Sequence, residues 1–218
     1  MRSLAVVFLI FACRLACFGA DAARACAPCT NPPRGSTDPR ILLDEGNKRF
    51  RGISQHPRAN NKCLKDLVDQ GQTCQPPFAA ILSCSDSRFA PEILYDQGVG
   101  DLFVIRVAGN VATAESMASI EYAVNKLGVR YVVVLGHEKC GAVEASFPNT
   151  PPGPHLDSLW KLIHPVVVQP LSDRNWDLSA RRNVNGTVNY LKLNLKLKEP
   201  GAVIVGAYAK LSGEVALP

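Results

Sequence analysis

The sequence predicts an α/β fold: a mostly parallel β-sheet core flanked by helices, with an antiparallel addition at one edge. Two observations carry the parallel core. The apolar runs at residues 78–83, 102–107, 130–135 and 202–207 are continuous rather than alternating, as strands covered on both faces must be. Helical segments lie between those runs, which gives successive strands the crossovers that parallel pairing requires. A chain of 218 residues, 47% of them hydrophobic, suits one compact domain with a sizeable core.

Each element has its own reason. Residues 1–22 read as a signal peptide: Arg2 supplies a positive start, residues 4–13 form an apolar run too short to span a bilayer, and Ala20-Asp21-Ala22 resembles a cleavage site. Residues 23–39 form a linker rich in proline (Pro28, Pro32, Pro33 and Pro39), and residues 40–218 form the folded domain. The domain opens with a helix over 40–50. A short helix over 91–97 has Pro91 at its first position, and a helix over 114–127 stops at Gly128. Val132, Val133 and Val134 mark the third strand as buried, and residues 213–217 form a short last strand. Residues 148–154 are a turn-rich loop, and 173–198 form one or two amphipathic helices.

Composition excludes several classes of function. The net charge of +5 is modest and scattered, without a basic run or interleaved aromatics, so no nucleic-acid partner is expected. Once the leader is removed, no stable membrane span remains, and the destination is a secreted, periplasmic or other lumenal compartment. In that oxidising setting Cys26, Cys29, Cys63 and Cys74 can pair, in a connectivity that sequence does not fix. Cys26-Ala-Pro-Cys29 lies in a Pro-rich tail and not after a strand, which favours a tail disulfide or free thiols over a redox motif.

Three side chains stand where chemistry is expected. Cys84 follows the first strand, and His137 and Cys140 follow the third, in Gly136-His137-Glu138-Lys139-Cys140-Gly141. Carboxyl ends of strands are where open α/β sheets form their crevices. Two thiolates and an imidazole suit zinc, and three protein ligands leave the open position of a catalytic site. An isolated H-x-x-C is a weak signal, and buried cysteines also serve as small hydrophobes. The neighbours weigh towards metal: in Cys84-Ser85-Asp86-Ser87-Arg88, Arg88 can hold Asp86 ionised and aimed beside the first ligand. Asp86 can then stand beside a metal-bound water or take its place.

These two motifs together resemble the β-class carbonic anhydrases. The resemblance extends to residues 43–50, to Phe103-Val104-Ile105-Arg106-Val107-Ala108-Gly109-Asn110, to Ser119-Ile120-Glu121-Tyr122-Ala123, and to the terminal strands, and so covers about residues 40–217. It implies Cys84, His137 and Cys140 as ligands of one zinc ion per chain, with Asp86 and Arg88 as a catalytic dyad. It implies Gln75, Phe103, Tyr122 and Gly141 as substrate-binding residues of the plant-like branch. The other branch carries Trp where Ile81 stands, so an open site without an allosteric bicarbonate pocket is expected. The implied activity is reversible hydration of carbon dioxide to bicarbonate by zinc-bound hydroxide, in a homodimer or a multiple of dimers. The same scaffold can also host carbon disulfide or carbonyl sulfide hydrolysis, or a non-catalytic zinc or bicarbonate-binding protein. His155 and His164 are candidate proton shuttles outside any matched motif, and Asn185-Gly186-Thr187 is a sequon.

Overall fold

The computed structural model describes residues 36–52, 75–167, 175–198 and 201–218. The expected leader, most of the expected linker, and Cys26, Cys29, Cys63 and Cys74 lie outside the described residues. In chain order the elements are α1 (Pro39–Gly52), β1 (Ala79–Ser83), α2 (Pro91–Leu94), β2 (Leu102–Arg106), α3 (Ala114–Asn125), β3 (Tyr131–His137), α4 (Gly141–Glu144), α5 (Asp157–Val167), α6 (Trp176–Asn194), β4 (Val203–Ala209) and β5 (Val215–Ala216). One sheet runs in the order β2-β1-β3-β4-β5, parallel throughout except for the antiparallel β4–β5 pair at one edge.

The continuous apolar runs are explained by cover on both faces. Ala80, Leu82, Val132, Val134 and Ile204 pack with Ile120 and Val124 of α3 and with Val184, Val188 and Leu191 of α6. The alternate residues Ala79, Ile81, Tyr131, Val133 and Leu135 face the other way, onto Leu43 of α1 and onto Leu94 and Tyr95. Each strand therefore feeds two cores, and every residue of β1 and β3 is buried. Strand β2 lies at the edge, and its five residues, LFVIR, are only partly covered.

Buried polar groups tie the layers together. Asn47 of α1 donates from Nδ2 to the carbonyls of Leu94 (2.9 Å) and Gly213 (2.8 Å), and its oxygen accepts from the Val215 amide (3.0 Å). Thr113 caps α3 by accepting from the Ser116 amide, and Asn175 caps α6 by accepting from the Leu178 amide. Helix α6 sits so close on the end of β3 that a Cβ at Gly136 would fall 2.3 Å from Cγ2 of Val184.

Some boundaries differ from the sequence reading. Strand β3 continues through His137, because Gly136 and His137 pair with Tyr208 and Ala209 of β4; His137 therefore ends the strand instead of following it. The helix expected over 91–97 stops at Leu94, and Asp96 takes a positive φ just beyond it. Residues 173–198 contain a single long helix within their described part. Helix α5 has no counterpart in the sequence reading, because its internal Pro165 reads as a break.

Candidate metal centre

Strands β1 and β3 are neighbours in register, with Ser83 opposite Leu135, so the residues just beyond them converge. Cys84 leaves β1, His137 closes β3, and Cys140 follows a turn in which Lys139 adopts φ 53°. The three are buried, and their ligand atoms all lie within 4.8 Å of one another. The two sulfurs are 4.0 Å apart, close to the separation that two zinc–sulfur bonds of about 2.3 Å at a tetrahedral angle produce. This is the only such cluster of His, Cys, Asp and Glu among the described residues.

The ring of His137 is oriented for coordination. Its Nδ1 lies 2.9 Å from the Glu138 carbonyl, which can only accept, so Nδ1 carries the proton and Nε2 presents a lone pair. Nε2 is buried and finds no hydrogen-bond partner among the described residues. A buried, unpartnered acceptor between two cysteines is what a cation site requires. Phe89 stacks on the ring with centroids 4.4 Å apart and fixes its plane.

The thiols respond to each other. Cys84 is held below the ordinary thiol range first by the hydrogen bond from Cys140, with further help from the backbone amides of Gly109 and Asp86, against the cost of burial. Cys140 is pushed up by the Cys84 thiolate it faces and by burial. The pair therefore favours the thiolate at Cys84 over that at Cys140, and a bound divalent cation would favour the deprotonated form of both.

Asp86 and Arg88 form the fork that their spacing suggests. Arg88 donates from Nε to Oδ1 (2.9 Å) and from Nη2 to Oδ2 (2.8 Å), and its backbone amide donates to Oδ1 at 3.0 Å. Asp86 is drawn down to about 2, chiefly by the Arg88 side-chain hydrogen bonds. Its Oδ2 lies 3.9 Å from His137 Nε2, so the carboxylate flanks the position that the ring nitrogen addresses.

Two backbone contacts complete this loop, and motif spacing alone does not show them. Arg106 donates from Nε to the Cys84 carbonyl (3.1 Å) and from Nη2 to the Asp86 carbonyl (2.6 Å). Arg88 Nη2 also reaches the Lys139 carbonyl at 3.2 Å, which joins the two ligand segments. Only the register that sets Arg106 beside Ser83 reveals the first contact.

The remaining predicted residues divide into two groups. Gly141, next to Cys140, lines an apolar cavity of about 250 Å³ together with Ala108, Leu156, Leu159 and Trp160. Gln75 is exposed before β1, whereas Cys84 lies after it, so the five-residue strand of about 16 Å separates them. Phe103 pairs with Ala80, four residues or about 13 Å along the sheet from Cys84. Its ring packs against Tyr122, centroids 6.1 Å apart, and Tyr122 is 44% exposed. One chain does not bring these three to its own cysteines. His164 is packed, its Nδ1 donating to the Ser146 carbonyl (2.8 Å) and its ring stacked on Trp160, while His155 is exposed. Behind the site Tyr208 of β4 donates a hydrogen bond to Asp177, and Arg181 lies over the Tyr208 ring. No helix among the described residues is long and apolar enough to cross a membrane.

A parallel sheet carrying a Cys–His–Cys cluster at adjacent strand ends defines a metalloenzyme of the α/β class. The carbonic anhydrase family model matches residues 79–209, which span every element of this site. Carbonic anhydrase 2 of Mycobacterium tuberculosis (strain CDC 1551 / Oshkosh) is 40% identical over 156 residues, covering 68% of this chain and 73% of that protein. A carbonic anhydrase of Mycolicibacterium smegmatis is 47% identical over 105 residues, covering 48% of this chain and 49% of its own. Among solved structures, the β-carbonic anhydrase CafA of Aspergillus fumigatus superimposes with a TM-score of 0.64 at 28% identity, covering 72% of this chain and 83% of that one. Tetrameric β-carbonic anhydrases of Sordaria macrospora share the fold, with a TM-score of 0.61 at 24% identity over 82% of this chain and 95% of theirs. The chain belongs to the β-class carbonic anhydrase family. It is a zinc enzyme acting on a small molecule, and its reaction class is the hydration of carbon dioxide.

Proposed function

We propose that Asp86 and Arg88 act as a catalytic dyad beside zinc held by Cys84, His137 and Cys140, in the reversible conversion of carbon dioxide to bicarbonate and a proton. The observation that carries this is the forked pair: both Asp86 oxygens are bound to Arg88, with Oδ2 3.9 Å from His137 Nε2. Zinc supplies the Lewis acidity that makes water a nucleophile near neutral pH. Asp86, kept ionised by Arg88, would accept a hydrogen bond from the attacking water or hydroxide and so turn its lone pair towards carbon. With Arg88 bound to both of its oxygens, Asp86 would stand beside a zinc ion held by Cys84, His137 and Cys140 instead of binding it, which is the plant-like arrangement. Fully buried Ile81, where the other branch has Trp, supports the same reading. The apolar cavity at Gly141 offers room for an uncharged, linear substrate.

The same reading extends to assembly. Gln75, Phe103 and Tyr122 lie too far from their own chain's cysteines to line that site, yet the rings form a half-exposed pair beside the partly covered edge strand β2. An apolar edge of this kind calls for a partner. A twofold-related second copy delivers the three residues to the neighbouring metal centre, which makes the dimer the working unit. Entry into a secretory or periplasmic compartment through residues 1–22 completes the proposal, and amino-terminal sequencing of the exported protein tests it.

Stopped-flow carbon dioxide hydration with zinc measured in the same sample tests the central reading. Asp86→Ala is expected to keep zinc near one per chain and to lose activity by about 10²-fold, roughly the span of a lost orienting contact. Zinc at one per chain in the unaltered protein, without hydration, would sink the proposal.

A further inference from the structure

We propose that Asn183, on α6, is a positioning residue for the metal centre, acting on the Cys84 sulfur through the peptide groups of Gly109. The inference rests on Cys84 being a zinc ligand. Asn183 is 1% exposed and lies 74 positions from Gly109 in sequence, and its Nδ2 donates to the Gly109 carbonyl at 2.6 Å. The amide of the same glycine donates to Cys84 Sγ at 3.2 Å. One side chain on a distant helix therefore fixes the residue whose N–H points at the metal-binding sulfur.

The turn needs that restraint. Gly109 has φ 76° and ψ 15°, a left-handed conformation that glycine adopts without penalty but does not hold by itself. Asn110 follows it at φ 47°. Ile163 of α5 closes one side, since a Cβ on Gly109 would lie 2.6 Å from its Cδ1. Asn183 closes another and is the side chain that bonds the Gly109 carbonyl. Helix α6 is a firm base for it, because the next residue, Val184, is wedged against Gly136.

The chemical effect follows from the direction of the hydrogen bond. An N–H donated to a thiolate draws electron density away from the sulfur and weakens its donation to a metal. Two thiolate ligands push more charge onto zinc than imidazoles would, and the Gly109 amide offsets part of that push. Asn183 thereby helps to keep the metal acidic enough to act on water, although it touches neither metal nor substrate. Groups that orient metal ligands from outside the coordination sphere commonly change metal affinity by 10- to 100-fold when replaced.

The test uses two variants. Asn183→Asp keeps the shape and replaces the donor with an acceptor, and Asn183→Ser shortens the donor. Each is compared with the unaltered protein after loading with cobalt(II) and, separately, in zinc competition against a chelator. A thiolate-to-cobalt charge-transfer band in the unaltered protein supports the ligand set itself. The expected result is a shift of that band to lower energy in both variants, because the sulfur regains charge, while the loosened turn no longer aims the sulfur and zinc affinity weakens by about tenfold. Folded variants with an unmoved band and unchanged zinc affinity overturn the proposal even if their Tm falls, because Asn183 is then a structural anchor alone. No band in the unaltered protein overturns the zinc reading and this proposal together. If neither variant folds, the unaltered protein loaded with cadmium-113 decides. Scalar couplings across the Gly109 N–H···S bond to cadmium and across the Asn183–Gly109 bond sustain the proposal, and absence of either overturns it.

Discussion

Gly136 is the position where the sheet, the last long helix and the metal centre meet, and replacing it by alanine puts a number on how tightly they are joined. The added Cβ would lie 2.3 Å from Val184 Cγ2, 3.6 Å from Asn110 Oδ1 and 3.7 Å from the Ala180 carbonyl. Carbon atoms rest at about 3.5–4.0 Å, so α6 or β3 must yield by at least about 1.2 Å. Helix α6 cannot give way alone, because Val184, Val188 and Leu191 share one core with the sheet. Overpacking of this kind costs about 1–3 kcal/mol. Alanine's narrower unfolded ensemble returns about 0.5–1 kcal/mol, so the net loss lies between about 0 and 2.5 kcal/mol, with about 1–2 kcal/mol in mid-range. For a domain of this size that lowers Tm by roughly 2–8 °C. Hydration activity falls further than stability does, because His137 is the next residue and moves with the strand. Thermal and urea unfolding of Gly136→Ala, Val184→Ala and the double variant form the assay. Trimming Val184 removes the obstruction, so the double variant is expected to be about 1–2 kcal/mol more stable than additivity predicts. Additive losses, or a Gly136→Ala protein as stable and active as the unaltered one, would refute this account of the packing.

Three further outcomes follow from the site. Arg88→Lys keeps the charge but loses the fork, so hydration is expected to drop by roughly 10- to 100-fold from lost aim; zinc content stays unchanged and Tm moves by only a few degrees because Arg88 is half-exposed, and zinc loss in that variant would contradict it. Asp177 is held below the ordinary carboxylate range, first by the Tyr208 hydrogen bond. Its contribution is therefore present above the unfolded pKa of about 3.9 and is lost as pH falls through the lower folded value. The Tm gap between the unaltered protein and Asp177→Asn should be open at pH 6 and close in strong acid; a gap independent of pH counts against this. Stripping zinc with a chelator should lower Tm by roughly 8–16 °C relative to zinc at a thousandfold over its dissociation constant, the effect of losing about 4 kcal/mol of linked binding; an unchanged Tm would mean that the cluster binds no metal in the folded protein.

The sheet was legible because its central strands β1 and β3 are buried on two faces, and such strands advertise themselves as unbroken apolar runs. The ligands were legible because catalytic side chains follow strand ends, and Cys84 and Cys140 stand beside the clearest two runs. Helix α5 was not, because Pro165 argues locally against a helix while contacts such as that of Ile163 with Gly109 hold it in place. The extension of β3 to His137 depends on pairing with β4, a contact that no local pattern announces. Arg106 and Asn183 were invisible as contributors for a similar reason: each acts on backbone atoms, and backbone atoms carry no sequence signal. Gln75, Phe103 and Tyr122 entered through family resemblance, and geometry then separated them from their own chain's cysteines.

The strand order carries a consequence for how the chain matures. Strands β1 and β3 are adjacent in space, but β2 and α3 intervene in the chain, so the first and last zinc ligands are 56 positions apart. No fragment ending before Cys140 can assemble the triad, and long-range parallel pairing is a slow event in folding. A slip of one residue between the two strands turns side chains to the opposite face and scatters the ligands. Zinc uptake therefore works as a gauge of alignment: a chain that captures the ion has already set its central strands in the correct register.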